Sequence, residues 1–206
     1  MNSHTVRFVV AGAAGDIACA VDHPPASVPL RGDAVLAHPH PLFGGTMDNK
    51  VVQTMARALL GLGWRVTRFN FRGVGGSAGE HDEGQGESED LLAVVAHQRQ
   101  AGLGLVLGGF SFGGYVTTLS AARLAEQGQP ADRLLLVGPS TQRATPAPVP
   151  ADTVVIHGEA DDVVPLSATL DWARPQHLPV IVMPGVGHFF HGQLTQLREL
   201  IVRSWR

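Results

Sequence analysis

Apolar positions fall into two alternating kinds of run along the chain. Residues 34–37, Ala-Val-Leu-Ala, are apolar throughout, as a strand covered on both faces would be. Runs of similar character at 65–71, 103–110, 133–137, 153–157 and 180–183 predict further strands. Between them the apolar positions recur every three or four residues. Val51, Val52, Met55, Ala58 and Leu59 predict a helix that Asp48 can cap and that Gly61 and Gly63 end. Helices are also predicted over 91–100, 112–127, 166–173 and 193–205, the last with a stripe of Leu194, Leu197, Leu200, Ile201 and Trp205. Ahead of all these, two β-type runs at 5–10 and 17–21 flank Ala11-Gly12-Ala13-Ala14-Gly15-Asp16 and read as an antiparallel hairpin. After it strands and helices alternate, the pattern of an α/β fold with a mostly parallel sheet and helices on both faces. In His38-Pro39-His40-Pro41 the prolines forbid both a ladder and a helix, so a loop is expected there.

Length and composition narrow the class. At about 150 residues per domain, a chain of 206 residues is expected to form one domain over 1–206. Hydrophobic residues make up 44% of it, which excludes global disorder. The net charge is −3 and no cluster of five or more Lys and Arg occurs, so nucleic acid is not an expected partner. Cys19 is the only cysteine, which excludes an intrachain disulfide and a Cys-based zinc site. No run approaches the roughly 18–20 apolar residues that cross a bilayer. The apolar stretch near the start is short and interrupted by Asp16, unlike a secretory signal. A cytoplasmic protein that does not use a membrane is therefore expected.

In an open α/β sheet, ligands bind outside the carboxyl ends of the strands. Four of these tips carry chemistry: His38 to Phe43, Gly109-Phe110-Ser111-Phe112-Gly113, His157-Gly158-Glu159-Ala160-Asp161-Asp162, and Gly187-His188-Phe189. The second has the form Gly-x-Ser-x-Gly between a strand and a helix, a nucleophile elbow. A serine at its free pKa needs a histidine base, and that base needs an acid to fix its tautomer. Behind such an elbow the acid follows the serine and the histidine comes last, an order that Ser111, Asp161 and His188 satisfy. Asp162 is the alternative acid. His191 is expected to begin the last helix, and His157 and His177 look structural. An oxyanion needs two backbone donors: Phe112 directly after the nucleophile, and one from the loop after 34–37, where His40 is favoured over Leu42 or Phe43. Phe43, Leu42 and Phe190 are expected to contact substrate in an apolar acyl pocket, with Phe110 beneath it.

These tips resemble the α/β-hydrolase superfamily, and closely its small bacterial members without a cap, near the dienelactone-hydrolase-like and acyl-peptidase-like branches. Most similar are His38-Pro39-His40-Pro41-Leu42-Phe43-Gly44-Gly45-Thr46-Met47-Asp48-Asn49, Asn70-Phe71-Arg72-Gly73-Val74-Gly75-Gly76-Ser77 and His157-Gly158-Glu159-Ala160-Asp161-Asp162-Val163-Val164-Pro165. The resemblance implies the three-layer α/β-hydrolase fold and a serine hydrolase that takes a small ester without a cofactor. Thioester or amide substrates follow by the same mechanism. The chain departs from dienelactone hydrolases, which carry a cysteine where Ser111 stands. The interval 138–151 is too short and Pro-rich for a helical cap, so an open site is expected, with a homodimer left open. Arg72 either pairs with an acid or meets a substrate carboxylate.

Three rival classes compete. Gly12-Ala13-Ala14-Gly15 could open a dinucleotide site, but β-like residues follow where a helix should receive the pyrophosphate. A metallohydrolase could draw on His38, His40, His81, Asp161 and His188, and would leave the elbow unexplained. A protein of the same fold that binds a small ligand without turnover is the third.

Overall fold

The computed structural model describes residues 5–205. Its elements are β1 (Val6–Gly12), β2 (Gly15–Asp22), β3 (Gly32–Ala37), α1 (Lys50–Gly61), β4 (Trp64–Phe69), α2 (Gln85–Gln98) and β5 (Gly104–Phe110). There follow α3 (Phe112–Glu126), β6 (Arg133–Val137), β7 (Val154–Gly158), α4 (Leu166–Ala173), β8 (Val180–Met183) and α5 (Leu194–Ser204). The eight strands form one sheet in the order β1-β2-β4-β3-β5-β6-β7-β8. The β1–β2 hairpin at one edge is antiparallel, β2 also pairs antiparallel with β4, and every other pairing is parallel. Residues between β6 and β7 include no helix, so no cap is inserted there.

The alternation along β3 explains the three layers. Ala34 and Leu36 face a core filled by Val52, Met55 and Leu59 of α1 and Leu197 and Ile201 of α5. Val35 and Ala37 face the opposite core, with Leu91, Val94 and Val95 of α2 and Val116 and Leu124 of α3. Ala173 of α4 packs on Leu136 and Val155. The apolar run of β3 is thus a strand buried on both faces.

Strand order also fixes where a ligand can sit. From β3 the chain crosses through α1 to β4 on one side, then through α2 to β5 on the other. The connections leave in opposite directions between β3 and β5, which opens a crevice at their carboxyl ends. The loops that bear His40 and Ser111 lie there.

Several sequence expectations shift. Asn49, not Asp48, caps α1, its Oδ1 accepting the N–H groups of Val51 at 2.9 Å and Val52 at 3.4 Å. Asp48 pairs instead with Arg68 at 3.0 Å and Arg7 at 3.1 Å. Pro41 begins a 3-10 turn, Pro41–Phe43, since a proline needs no N–H at a first helical position. The hairpin ladder continues to Gly12 and Gly15, leaving a two-residue turn, and no helix follows to hold a pyrophosphate. Strand β4 ends at Phe69: the Asn70 N–H still reaches Ala18 O of β2 at 2.9 Å while its Oδ1 accepts the Met47 N–H at 2.9 Å, and the Phe71 N–H donates to His38 Nε2 at 3.0 Å.

The largest difference is α2, which begins at Gln85 rather than 91. Its first turns look too polar to bury, yet each buried polar group is paired. Glu87 accepts the N–H groups of Asp82 and Gly84 at 3.0 and 2.8 Å, Ser88 meets Ser120 at 3.0 Å, and Asp90 takes Arg72. Arg72 Nη2 lies 2.9 Å from Asp90 Oδ1, and Arg72 Nε 3.1 Å from Oδ2. Glu89 adds a contact at 3.3 Å. Arg72 is thus the acid-paired anchor of the glycine loop. Removing one partner strands the other, so Asp90→Ala is expected to cost about 3–5 kcal/mol, read from the urea midpoint. A loss under 1 kcal/mol would contradict a buried pair.

Candidate active site

Ser111 stands between β5 and α3 with φ 56° and ψ −119°, a conformation that a residue with a Cβ adopts only under strain. The turn is tight enough to dictate its neighbours. A Cβ on Gly109 would overlap the carbonyl group of Gly113, and one on Gly113 would lie 2.5 Å from the carbonyl oxygens of both Ala37 and His38. This is the physical content of the Gly-x-Ser-x-Gly spacing. The Ser111 N–H donates to Val137 O at 3.0 Å, which ties the elbow to β6.

His188 sits over the elbow with its ring centroid 4.9 Å from that of Phe110. Its Nε2 lies 2.9 Å from Ser111 Oγ and its Nδ1 2.6 Å from Asp161 Oδ2. Asp161 is held from its other side, Oδ1 accepting the N–H groups of Val163 at 3.0 Å and Val164 at 2.7 Å. Burial raises the affinity of this carboxyl for its proton, but the bonds from His188 and Val164 and the neighbouring imidazoles more than offset that. The group stays below the usual carboxylate range. Asp162, the alternative acid, is exposed.

His157 is fully buried, and burial lowers its pKa. Its Nε2 meets the Val164 carbonyl at 2.9 Å, so the neutral ring donates there while its Nδ1 has no partner among the described residues. His157 Nε2 also lies 3.4 Å from Asp161 Oδ2, the oxygen that His188 Nδ1 meets more closely at 2.6 Å.

The loop after β3 supplies the facing wall. Leu42 N–H is committed to His40 Nδ1 at 3.3 Å, and Phe43 N–H to the His40 carbonyl at 3.2 Å. Among the described residues the His40 N–H has no such engagement. Phe112 opens α3, so its N–H is one of those a helix leaves without an internal partner. The rings of His40 and Phe112 pack at 4.8 Å. Burial, and then the neighbouring His81, lower the pKa of His40.

A cleft of about 140 Å³ opens over Ser111, walled by His40, Phe43, Phe112, Val163, Val164 and Phe189. Phe43 is where the sequence places it. Leu42 and Phe190 are not: Leu42 is exposed outside the cleft, and Phe190 is wholly buried against the α1–α5 core. The turn after His188 explains the exchange, since Phe190 has φ 53° and swings inward while Phe189 faces the cleft. The sequence also missed Ser140, Gln142 and Arg143 on the loop after β6, which line the same cleft. The rule of strand tips covered them, because they follow Val137.

The metal-ligand candidates do not converge. His38 is buried and spans Pro39 O and Phe71 N–H, and burial lowers its pKa to about 4. Among the described residues no group of three or more His, Cys, Asp or Glu is arranged to hold an ion. Cys19 is buried in β2, where burial pushes its thiol up to about 12. No helix among the described residues is long and apolar enough to cross a membrane.

This fold is shared with known hydrolases. XC6422 of Xanthomonas campestris, an α/β serine hydrolase without a lid, matches with a TM-score of 0.90 and 38% identity over 99% of this chain and 94% of that one. An α/β serine hydrolase homologue from Coxiella burnetii matches with a TM-score of 0.82 and 38% identity over 98% and 97% of the two chains. An uncharacterised protein of Rickettsia prowazekii is 31% identical over 193 residues, 85% of this chain and 79% of that protein. No protein-family model matches the chain. The chain belongs to the α/β-hydrolase superfamily, among its serine hydrolases without a lid.

Proposed function

We propose that the chain is a serine acyl hydrolase, a carboxylesterase on small esters, that works through a Ser111–His188–Asp161 triad and an acyl-enzyme without a cofactor. The observation that carries this reading is the unbroken hydrogen-bonded line from Ser111 Oγ through the imidazole to Asp161, anchored at a strained elbow. Ser111 Oγ attacks the ester carbonyl while His188 Nε2 takes its proton. Asp161 keeps the imidazole proton on Nδ1 and stabilises the cation that forms. The N–H groups of Phe112 and His40 receive the oxyanion. His188 then returns the proton to the departing alcohol, and water repeats the sequence on the acyl-enzyme. The cleft, about 140 Å³, is smaller than the roughly 300–1,000 Å³ of sites for drug-sized ligands, which favours a short acyl group.

Fluorophosphonate labelling tests the reading. Wild type is expected to gain one adduct by intact mass, mapped to Ser111, and Ser111→Ala none. A folded wild type that stays unlabelled and hydrolyses no small ester overturns it in favour of a binding protein.

A further inference from the structure

Among the residues that line the cleft, Arg143 is the one side chain with a permanent charge, and no carboxylate lines it. Arg143 is exposed to solvent and makes no ion pair or hydrogen bond with any described residue. The loop that carries it is nonetheless held at both ends. Ser140 N–H donates to Ser111 O at 3.0 Å, and Thr141 Oγ1 meets Thr169 Oγ1 at 3.0 Å. Beyond Arg143, Ala147 N–H donates to Thr118 Oγ1 at 3.0 Å and Val149 N–H to Gln176 Oε1 at 2.9 Å. The guanidinium therefore projects from a pinned segment whose first anchor is the nucleophile's own carbonyl.

Its surroundings give the charge a use. Phe43, Val163 and Phe189 at the mouth are 75%, 47% and 47% exposed, an apolar rim that displaces water when a substrate enters. A cation beside such walls attracts an anion more strongly than one on an open surface. The chain as a whole carries −3, so Arg143 sets a positive charge in the cleft lining of a net negative protein. Glu83 and Glu87 do not line the cleft: Glu87 is buried against His81 at 2.7 Å and Glu83 lies 3.6 Å from His81, and both act, like Arg143, on His40 in the cleft wall.

We propose that Arg143 selects substrates in which an apolar ester carries an oxyanionic group, carboxylate or phosphate, within reach of the scissile carbonyl. This deepens the acyl-hydrolase reading above and rests on it. A guanidinium offers paired N–H donors that match either oxyanion. The bond it forms with substrate replaces only solvent, since no protein acid has to be displaced.

The test compares matched esters. On the acyl side, 4-nitrophenyl heptanoate is set against the 4-nitrophenyl monoester of adipic acid. On the alcohol side, 4-methylphenyl acetate is set against 4-(carboxymethyl)phenyl acetate and 4-(phosphonomethyl)phenyl acetate. The quantity read is the ratio of kcat/KM for each anionic ester to that for its neutral partner, so any general effect of a substitution on turnover divides out. Wild type is expected to favour at least one anionic ester about tenfold, with the favoured arm showing which side and which oxyanion is read. Arg143→Gln should bring that ratio to about one, Arg143→Glu should push it below one, and added salt should weaken the wild-type preference. Hydrolysis of the neutral esters with the same ratio in wild type and Arg143→Gln overturns the selectivity and leaves the acyl-hydrolase reading standing. No hydrolysis of any ester by a wild type whose Ser111 also refuses fluorophosphonate overturns both.

Discussion

Ser111→Ala is expected to lower kcat for a small ester by roughly 10⁵–10⁶-fold, because nucleophile, base and acid act as one unit and losing the nucleophile forfeits the whole path. What remains is the contribution of the oxyanion donors and of binding, so KM should change far less than kcat. Ser111→Gly should be as inactive, but the two variants are expected to differ in stability. Alanine keeps a Cβ at φ 56° and ψ −119°, and glycine does not. Such a residue stores about 1–3 kcal/mol of strain. Glycine also loses more chain entropy on folding, by roughly 0.5–1 kcal/mol. The net expectation is that Ser111→Gly is more stable than Ser111→Ala by up to about 2.5 kcal/mol in urea unfolding. A Ser111→Gly variant less stable than Ser111→Ala would show that the elbow is relaxed in solution. Ser111→Ala with more than a hundredth of wild-type kcat would remove Ser111 from the mechanism altogether.

Much of this site was legible because the constraints that make it are local. The elbow needs small residues two positions either side of the serine, and that requirement is written directly into Gly109 and Gly113. The strand tips follow from apolar runs, and the parallel order from their alternation with helices. Other features depend on partners distant in sequence. The first turns of α2 look like a solvated acidic loop until Arg72, eighteen residues before Asp90, is brought against it. Asp48 and Asn49 are equally good caps by residue type, and the choice falls to Asn49 because Arg68 on β4 claims Asp48. The exchange of Phe189 and Phe190 turns on a single positive φ, which no periodicity records. Arg143 lies after a strand tip, but no motif around it singles it out there. Its place in the cleft comes from the anchoring of the loop at Ser140 and Thr141.

Asp161→Asn is expected to keep the fold and lower kcat by about 10⁴-fold. The reason lies in how the carboxylate is used on its two sides. Oδ1 accepts the N–H groups of Val163 and Val164, so an asparagine keeps those bonds only by placing its oxygen there. Its NH₂ group then faces His188 Nδ1, where the carboxylate oxygen lay at 2.6 Å. A donor at that position forces Nδ1 to be the acceptor and moves the ring proton to Nε2. Nε2 can then no longer take the proton of Ser111. Asp162→Asn, on an exposed side chain next door, is expected to leave kcat within about twofold, since surface changes away from such networks are nearly neutral. Stability should separate the two acids as well. The Asp161 carboxyl is held below its ordinary value of 3.8 in the folded chain, so its ionised form stabilises the fold above about pH 4. That contribution is lost as pH falls through the folded value, and the gap in unfolding midpoint between wild type and Asp161→Asn should shrink with it. A gap that holds constant from pH 7 to pH 3, or a tenfold loss of kcat in Asp162→Asn with Asp161→Asn unaffected, would transfer the role of the acid away from Asp161.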